Sequence, residues 1–130
     1  MTSQKFSIKK RLKSFSYAFS GMKTAVIEEH NARIHLVAAV LVLVFSAFFR
    51  LNVYEWIAVV FAIGFVFAME LMNSAIENMA DFISLEKHDT IRKIKDLSAA
   101  AVLVSALVAV IIGLIIFLPK IYELCICTNS

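Results

Sequence analysis

The stretch Leu97 to Leu118, LSAAAVLVSALVAVIIGLIIFL, runs for 22 residues without a charge. As a helix rising about 1.5 Å per residue it extends roughly 33 Å, enough to cross a hydrocarbon core about 30 Å thick. Two further apolar stretches precede it, Ile34 to Phe49 and Val53 to Met72. The first covers only about 24 Å by the same rise, so it needs a further turn from Ala32 or from Phe49 to Leu51. The second carries Glu70 near its end. Only Arg50 to Asn52 separate the two, which reads as a tight helical hairpin, and Tyr54 and Trp56 beside that turn fit an aromatic belt at a membrane surface.

Composition agrees. Hydrophobic residues make up 61% of the 130-residue chain and its mean hydropathy is +0.83, whereas soluble domains hold roughly 45 to 50% apolar residues. One proline and three glycines (Gly21, Gly64, Gly113) leave few helix breakers and no turn-rich β pattern. The expected fold is an all-α integral membrane protein with an interfacial N-terminal helix and three transmembrane helices. No repeat or flexible linker divides it, so one domain is expected over residues 1–118. The interfacial helix is placed at about 5–27, the spans at about 32–50, 53–80 and 96–118, and residues 119–130 form a tail.

The N-terminal helix follows from its pattern. Ile8, Leu12, Phe15, Phe19 and Met22 recur at spacings of four, three, four and three. Lys5, Lys9, Lys10, Arg11, Lys13 and Lys23 accompany them, with no acid before Glu28. An apolar stripe backed by a basic face suits a helix lying in the membrane surface. A cleavable leader would need an uninterrupted apolar core, which the alternation of charged and apolar groups denies. Positive charge also marks the loop Ile83 to Lys95, while the hairpin holds Arg50 alone and the tail Lys120 alone. The N-terminus and that loop are therefore expected on the cytoplasmic side of the membrane, with the C-terminus outside.

A net charge of +3 and a pI near 9.0 are accounted for by anionic head groups. Nucleic acid is not an expected partner, because no basic stripe carries interleaved stacking aromatics. Cys125 and Cys127 lack the further ligands a metal site needs and pair poorly with each other at this spacing. They read as part of a tail without a special role, with an intermolecular disulfide outside the cytoplasm as the alternative.

Carboxylates inside an apolar helix cost about 2.5 to 3.5 kcal/mol each on insertion scales, so they point to function. In ELMNSAIENMAD, residues 70–81, Glu70, Asn73, Glu77 and Asp81 stand three, four and four residues apart, and at about 100° per residue they share one face. A polar seam joining helices in lipid explains Asn73 and Ser74 but not the acids. A second cluster, EEHNARIH at 28–35, contains Glu29, Asn31, Arg33 and His35. Glu29 and Arg33 alone read as a surface ion pair. At the same boundary as Glu77, however, Glu29 completes an acid pair suited to magnesium, which favours one or two carboxylates plus substrate phosphates. The third cluster, LEKHDTIRKIKDLSAAAVL at 85–103, supplies Lys87, His88, Arg92, Lys93 and Lys95, then Asp96 and the small residues Ser98 to Ala101. No GxxxxGK[ST] loop is present, so phosphates must be held by side chains and metal. A non-enzymatic membrane subunit, with Glu70 relaying protons or pairing with a partner helix, is the rival reading. It does not need the acid pair, the basic loop and Asn73 together.

These three segments together resemble the prokaryotic diacylglycerol kinase family over about residues 5–118. EEHNARIH looks more like the Gram-positive branch, where undecaprenol kinases occur, since His35 stands where enterobacterial members carry an acid. The resemblance implies a homotrimer with active sites shared between subunits, and transfer of the ATP γ-phosphoryl group to a lipid hydroxyl of diacylglycerol or undecaprenol. Glu70 would be the general base; Glu29 and Glu77 would coordinate the magnesium on ATP, supported by Asn73. Lys10, Tyr17, Glu86, Lys87, His88, Lys95 and Asp96 fall where the family binds nucleotide, Lys10 standing where some members have arginine. The lipid would lie along Ser14 to Phe19, Lys23 to Val26, Asn31 to His35 with Arg33 among them, the hairpin with Trp56, Ala99 and Gly113.

Overall fold

A computed structural model describes residues 6–86 and 88–128. It contains four helices: α1 (Ile8–Glu28), α2 (His30–Phe48), α3 (Val53–Ile83) and α4 (Asp89–Thr128). Three of them, α2, α3 and α4, are long and apolar enough to cross a membrane.

The chain passes from α1 to α2 with a single break at Glu29, whose φ of −98° and ψ of 120° are extended. That break is why Glu29 and Arg33, an i, i+4 pair on paper, form no ion pair among the described residues. The apolar stripe of α1 is unburied within the chain, with Leu12, Phe15 and Phe19 all exposed.

Between α2 and α3 the backbone N–H groups of residues 49–52 all have local partners. The Leu51 N–H bonds the Ser46 carbonyl and the Arg50 N–H bonds the Ala47 carbonyl, the two reversed bonds of a Schellman motif. Arg50 takes the left-handed position at φ 50°, where glycine is usual. Leu51 is buried behind it. Asn52 then caps α3: its side chain accepts from the Glu55 N–H at 3.0 Å, and the Glu55 carboxylate accepts from the Asn52 N–H at 2.9 Å, a reciprocal capping box.

The buried faces are made of small residues. On α2 they are Ala32, Ala39 and Ser46, and on α4 Ser98 and Ser105 also lie seven apart. A seven-residue repeat keeps one stripe facing its neighbour, and small side chains let helices approach closely in lipid, where packing replaces the hydrophobic drive. The buried hydroxyls of Ser46 and Ser105 are satisfied by the Val42 and Val102 carbonyls, each at 2.7 Å.

The helix α3 is the centre of the fold, packed along α4 on one side and on α2 and α1 more briefly. Two Lys-acid pairs join α3 and α4, Asp81 with Lys95 at one end and Glu55 with Lys120, 3.1 Å apart, at the other. They lie 26 residues apart on α3, roughly 39 Å at about 1.5 Å per residue, so both pairs clear an apolar core of about 30 Å. The last helix differs from the sequence expectation: α4 begins at Asp89 and continues through Pro119 to Thr128. A helix interior proline is tolerated where neighbours and local adjustments meet the freed carbonyl, and Lys120, paired with Glu55, holds the continuation in place. Cys125 and Cys127 are free and exposed on this extension.

Candidate active site

Glu70 lies on the buried face of α3, between Val66 and Asn73. It is 1% exposed, and its Oε2 has no hydrogen-bond partner. The ionisable side chain facing it from α2 is His35, with Nε2 at 4.0 Å from that oxygen. Glu29, from the α1–α2 break, and Glu77, two turns along α3, also act on Glu70 electrostatically. Both acids that the sequence reading set beside Glu70 are therefore within electrostatic reach of it.

One turn beyond Glu70, Asn73 Oδ1 accepts a 2.7 Å hydrogen bond from Ser98 Oγ on α4. Ser98 was visible in the sequence only as one of a run of small residues; its spacing gave no sign of this partner. Ser74, next to Asn73, is buried with its hydroxyl unpartnered.

Two cavities flank this polar level. An apolar cleft of about 350 Å³ runs between α2 and α4 with α3 as its floor. His35 stands at one end, and Val42, Val59 and Phe117 close the other. Its walls are largely Ala38, Ala39, Ala62, Ala106 and Ala109, with Gly113 toward the closed end. The second cavity, about 420 Å³, lies at the α3–α4 turn and is lined by Asp81, Glu86, His88, Arg92, Lys95 and Asp96, among others. A mixed set of cations and acids suits a polar, charged ligand; the cleft suits a hydrocarbon chain.

The site residues expected from sequence thus divide. Buried Glu70 and Asn73 form one group with the half-buried His35, and Glu86, His88, Lys95 and Asp96 form another at the turn. Lys87 lies outside the described residues. Asp81, absent from the expected nucleotide set, joins the second group through Lys95; its position on the Glu70 face was the signal that could have found it. Lys10, Ser14, Tyr17, Phe19 and Lys23 sit on α1, exposed within the chain. Ser14 bonds the Lys10 carbonyl at 3.1 Å, and Lys13 lies over the Tyr17 ring at 5.9 Å. Asn31 and Arg33 are exposed beside the α1–α2 break, and Ala99 is exposed next to Ser98. Trp56 packs with Leu51, Val59 and Ile116 at the hairpin end, 14 residues and about 21 Å along α3 from Glu70.

Comparison with known proteins matches the chain, over residues 16–117, to the family described as prokaryotic diacylglycerol kinase. The undecaprenol kinase of Bacillus subtilis is 40% identical over 108 residues, covering 83% of this chain and 88% of that relative. The diacylglycerol kinase of Escherichia coli K12 is 32% identical over 100 residues, covering 77% of this chain and 82% of that relative.

Proposed function

The chain belongs to the prokaryotic diacylglycerol kinase family and is a multi-pass membrane lipid kinase; we propose that it moves the γ-phosphoryl group of ATP, bound with magnesium, onto the hydroxyl of diacylglycerol or undecaprenol. The observation that carries this reading is Glu70, a sealed carboxylate with a free oxygen between an apolar cleft and a charged cavity.

In this reading a hydrocarbon chain occupies the cleft, which delivers the lipid hydroxyl to Glu70 Oε2. The nucleotide lies toward Lys95, Asp96, Glu86 and His88, with Lys87 in the same loop. Glu70 takes the hydroxyl proton as the lipid oxygen bonds to the γ-phosphorus and the bond from that phosphorus to the ADP oxygen breaks. General-base assistance of this kind contributes about 10² to 10⁴ in rate.

Glu29 and Glu77 fit magnesium by their chemistry. They are hard oxygen donors on two different elements that both bear on Glu70. Magnesium favours one or two carboxylates with its other ligands drawn from phosphate and water. When bound, magnesium would neutralise phosphate charge. Asn73, held by Ser98, fixes the turn between Glu70 and Glu77.

In this reading the α1 residues, exposed within one chain, complete the site of a neighbouring protomer in a homotrimer. The same reading has α1 in the membrane surface, the N-terminus in the cytoplasm and the C-terminus outside, supported by the exposed apolar stripe of α1 and by the positive charge of the N-terminal segment and of the loop before α4.

The test is transfer of labelled γ-phosphate from magnesium ATP to diacylglycerol and to undecaprenol at matched mole fraction in the same micelles. Label in either lipid, absent with Glu70→Gln, is the expected result. Label in neither lipid overturns the proposal.

A further inference from the structure

A base that is 1% exposed must lose, in every turnover, the proton it has just gained. Water does not reach it directly. The ionisable group at ion-pair distance is His35, whose Nε2 lies 4.0 Å from Glu70 Oε2. The two side chains differ in access: 22% of the His35 side chain is exposed, against 2% for Glu70. One imidazole therefore stands beside the sealed carboxylate and is itself partly accessible.

The surroundings leave this ring as the exit. Glu29 and Glu77 also act on Glu70, and in the proposed site both are committed to metal. On the opposite helix, α4, the Ser98 hydroxyl at that level is spent on Asn73. Toward the hairpin lies the apolar cleft, which offers a proton no path. An imidazole can accept a proton on one ring nitrogen and give it up again.

We infer that His35 is a positioning residue that also carries the catalytic proton away from Glu70. The inference rests on Glu70 as the base. The lipid hydroxyl gives its proton to Glu70 Oε2 as the phosphoryl group transfers and ADP departs. Glu70 then passes that proton to His35 Nε2, directly after a shift of about 1 Å or through one water, and the imidazolium releases it outside. Glu70 returns to carboxylate and His35 to the neutral ring. Because His35 also walls the cleft, lipid binding and proton exit meet at one side chain.

Three variants test this in the whole protein in micelles, at saturating magnesium ATP and lipid. His35→Gln keeps a polar group beside Glu70 but cannot relay, and its kcat is expected to fall about 10- to 100-fold with little change in KM for ATP, within the range for acid–base steps. His35→Ala is expected to fall similarly and to recover with added imidazole. His35→Glu, able to accept and release a proton, is expected to exceed His35→Gln by about tenfold. Wild-type kcat in His35→Gln, no imidazole recovery in His35→Ala, or equal rates for the Glu and Gln variants overturns the relay. Glu70→Gln in the same assay separates the two readings: its inactivity keeps Glu70 as base whatever His35 does, and its activity removes the base itself.

Discussion

Ser98 on α4 donates a 2.7 Å hydrogen bond to Asn73 on α3, both side chains buried, one turn from Glu70. Two residues 25 apart in sequence thereby register α3 against α4 at the level of the chemistry. Ser98→Ala removes the donor and leaves the Asn73 oxygen unpaired, a loss of about 1 kcal/mol for such a bond in a membrane interior. Unfolding in mixed micelles should show that decrement. In a double-mutant cycle with Asn73→Ala, the two single costs should add to more than the double cost, and kcat should fall with Ser98→Ala because the turn bearing Glu70 and Glu77 loosens.

The acids of α3 should separate by role. Glu70→Gln is expected to reduce kcat by about 10² to 10⁴ while magnesium ATP still protects the protein from heat. Glu77→Gln should lose both turnover and that protection. Ligand at 100 times its Kd adds about 2.7 kcal/mol of apparent stability, so the contrast is readable in a thermal scan with and without nucleotide.

The two Lys-acid pairs are alike in chemistry and different in place. Asp81–Lys95 borders the charged cavity, and Glu55–Lys120 lies at the hairpin end. Lys95→Met should raise KM for ATP several-fold. Lys120→Met should leave KM and kcat near wild type and lower the unfolding temperature, because α4 beyond Pro119 loses its tie to α3.

Arg50 occupies a left-handed conformation at φ 50°, which costs a residue with a Cβ about 1 to 2 kcal/mol. Arg50→Gly relieves that strain inside an otherwise intact Schellman motif and should stabilise the protein by up to about 1 kcal/mol. Arg50→Val, β-branched at the same position, should destabilise it. Equilibrium unfolding of the pair gives the sign directly.

Patterns local to the chain were legible without coordinates. Uncharged length marked Leu97 to Leu118 as a span, the gap at Arg50 to Asn52 marked the hairpin, and the three-four-four spacing put Glu70, Asn73, Glu77 and Asp81 on one face. Each depends only on the rise and the angle per residue of a helix, which are fixed before any helix meets another. Partners were not legible. Glu70 and His35 stand 35 residues apart, Glu55 and Lys120 stand 65 apart, and no periodicity joins residues on different helices. The seven-residue repeat of Ala32, Ala39 and Ser46 on the buried face of α2 hides among other small residues. The last span was expected to end at Leu118, yet α4 runs through Pro119 to Thr128, with Lys120 paired to Glu55. The sequence by itself determined the helices and the acid-bearing face; the packing of α2 and α4 against α3 decided which oxygen is left free, which histidine meets it and which serine holds the turn beside it, because those choices are set by contacts between segments that the chain order keeps far apart.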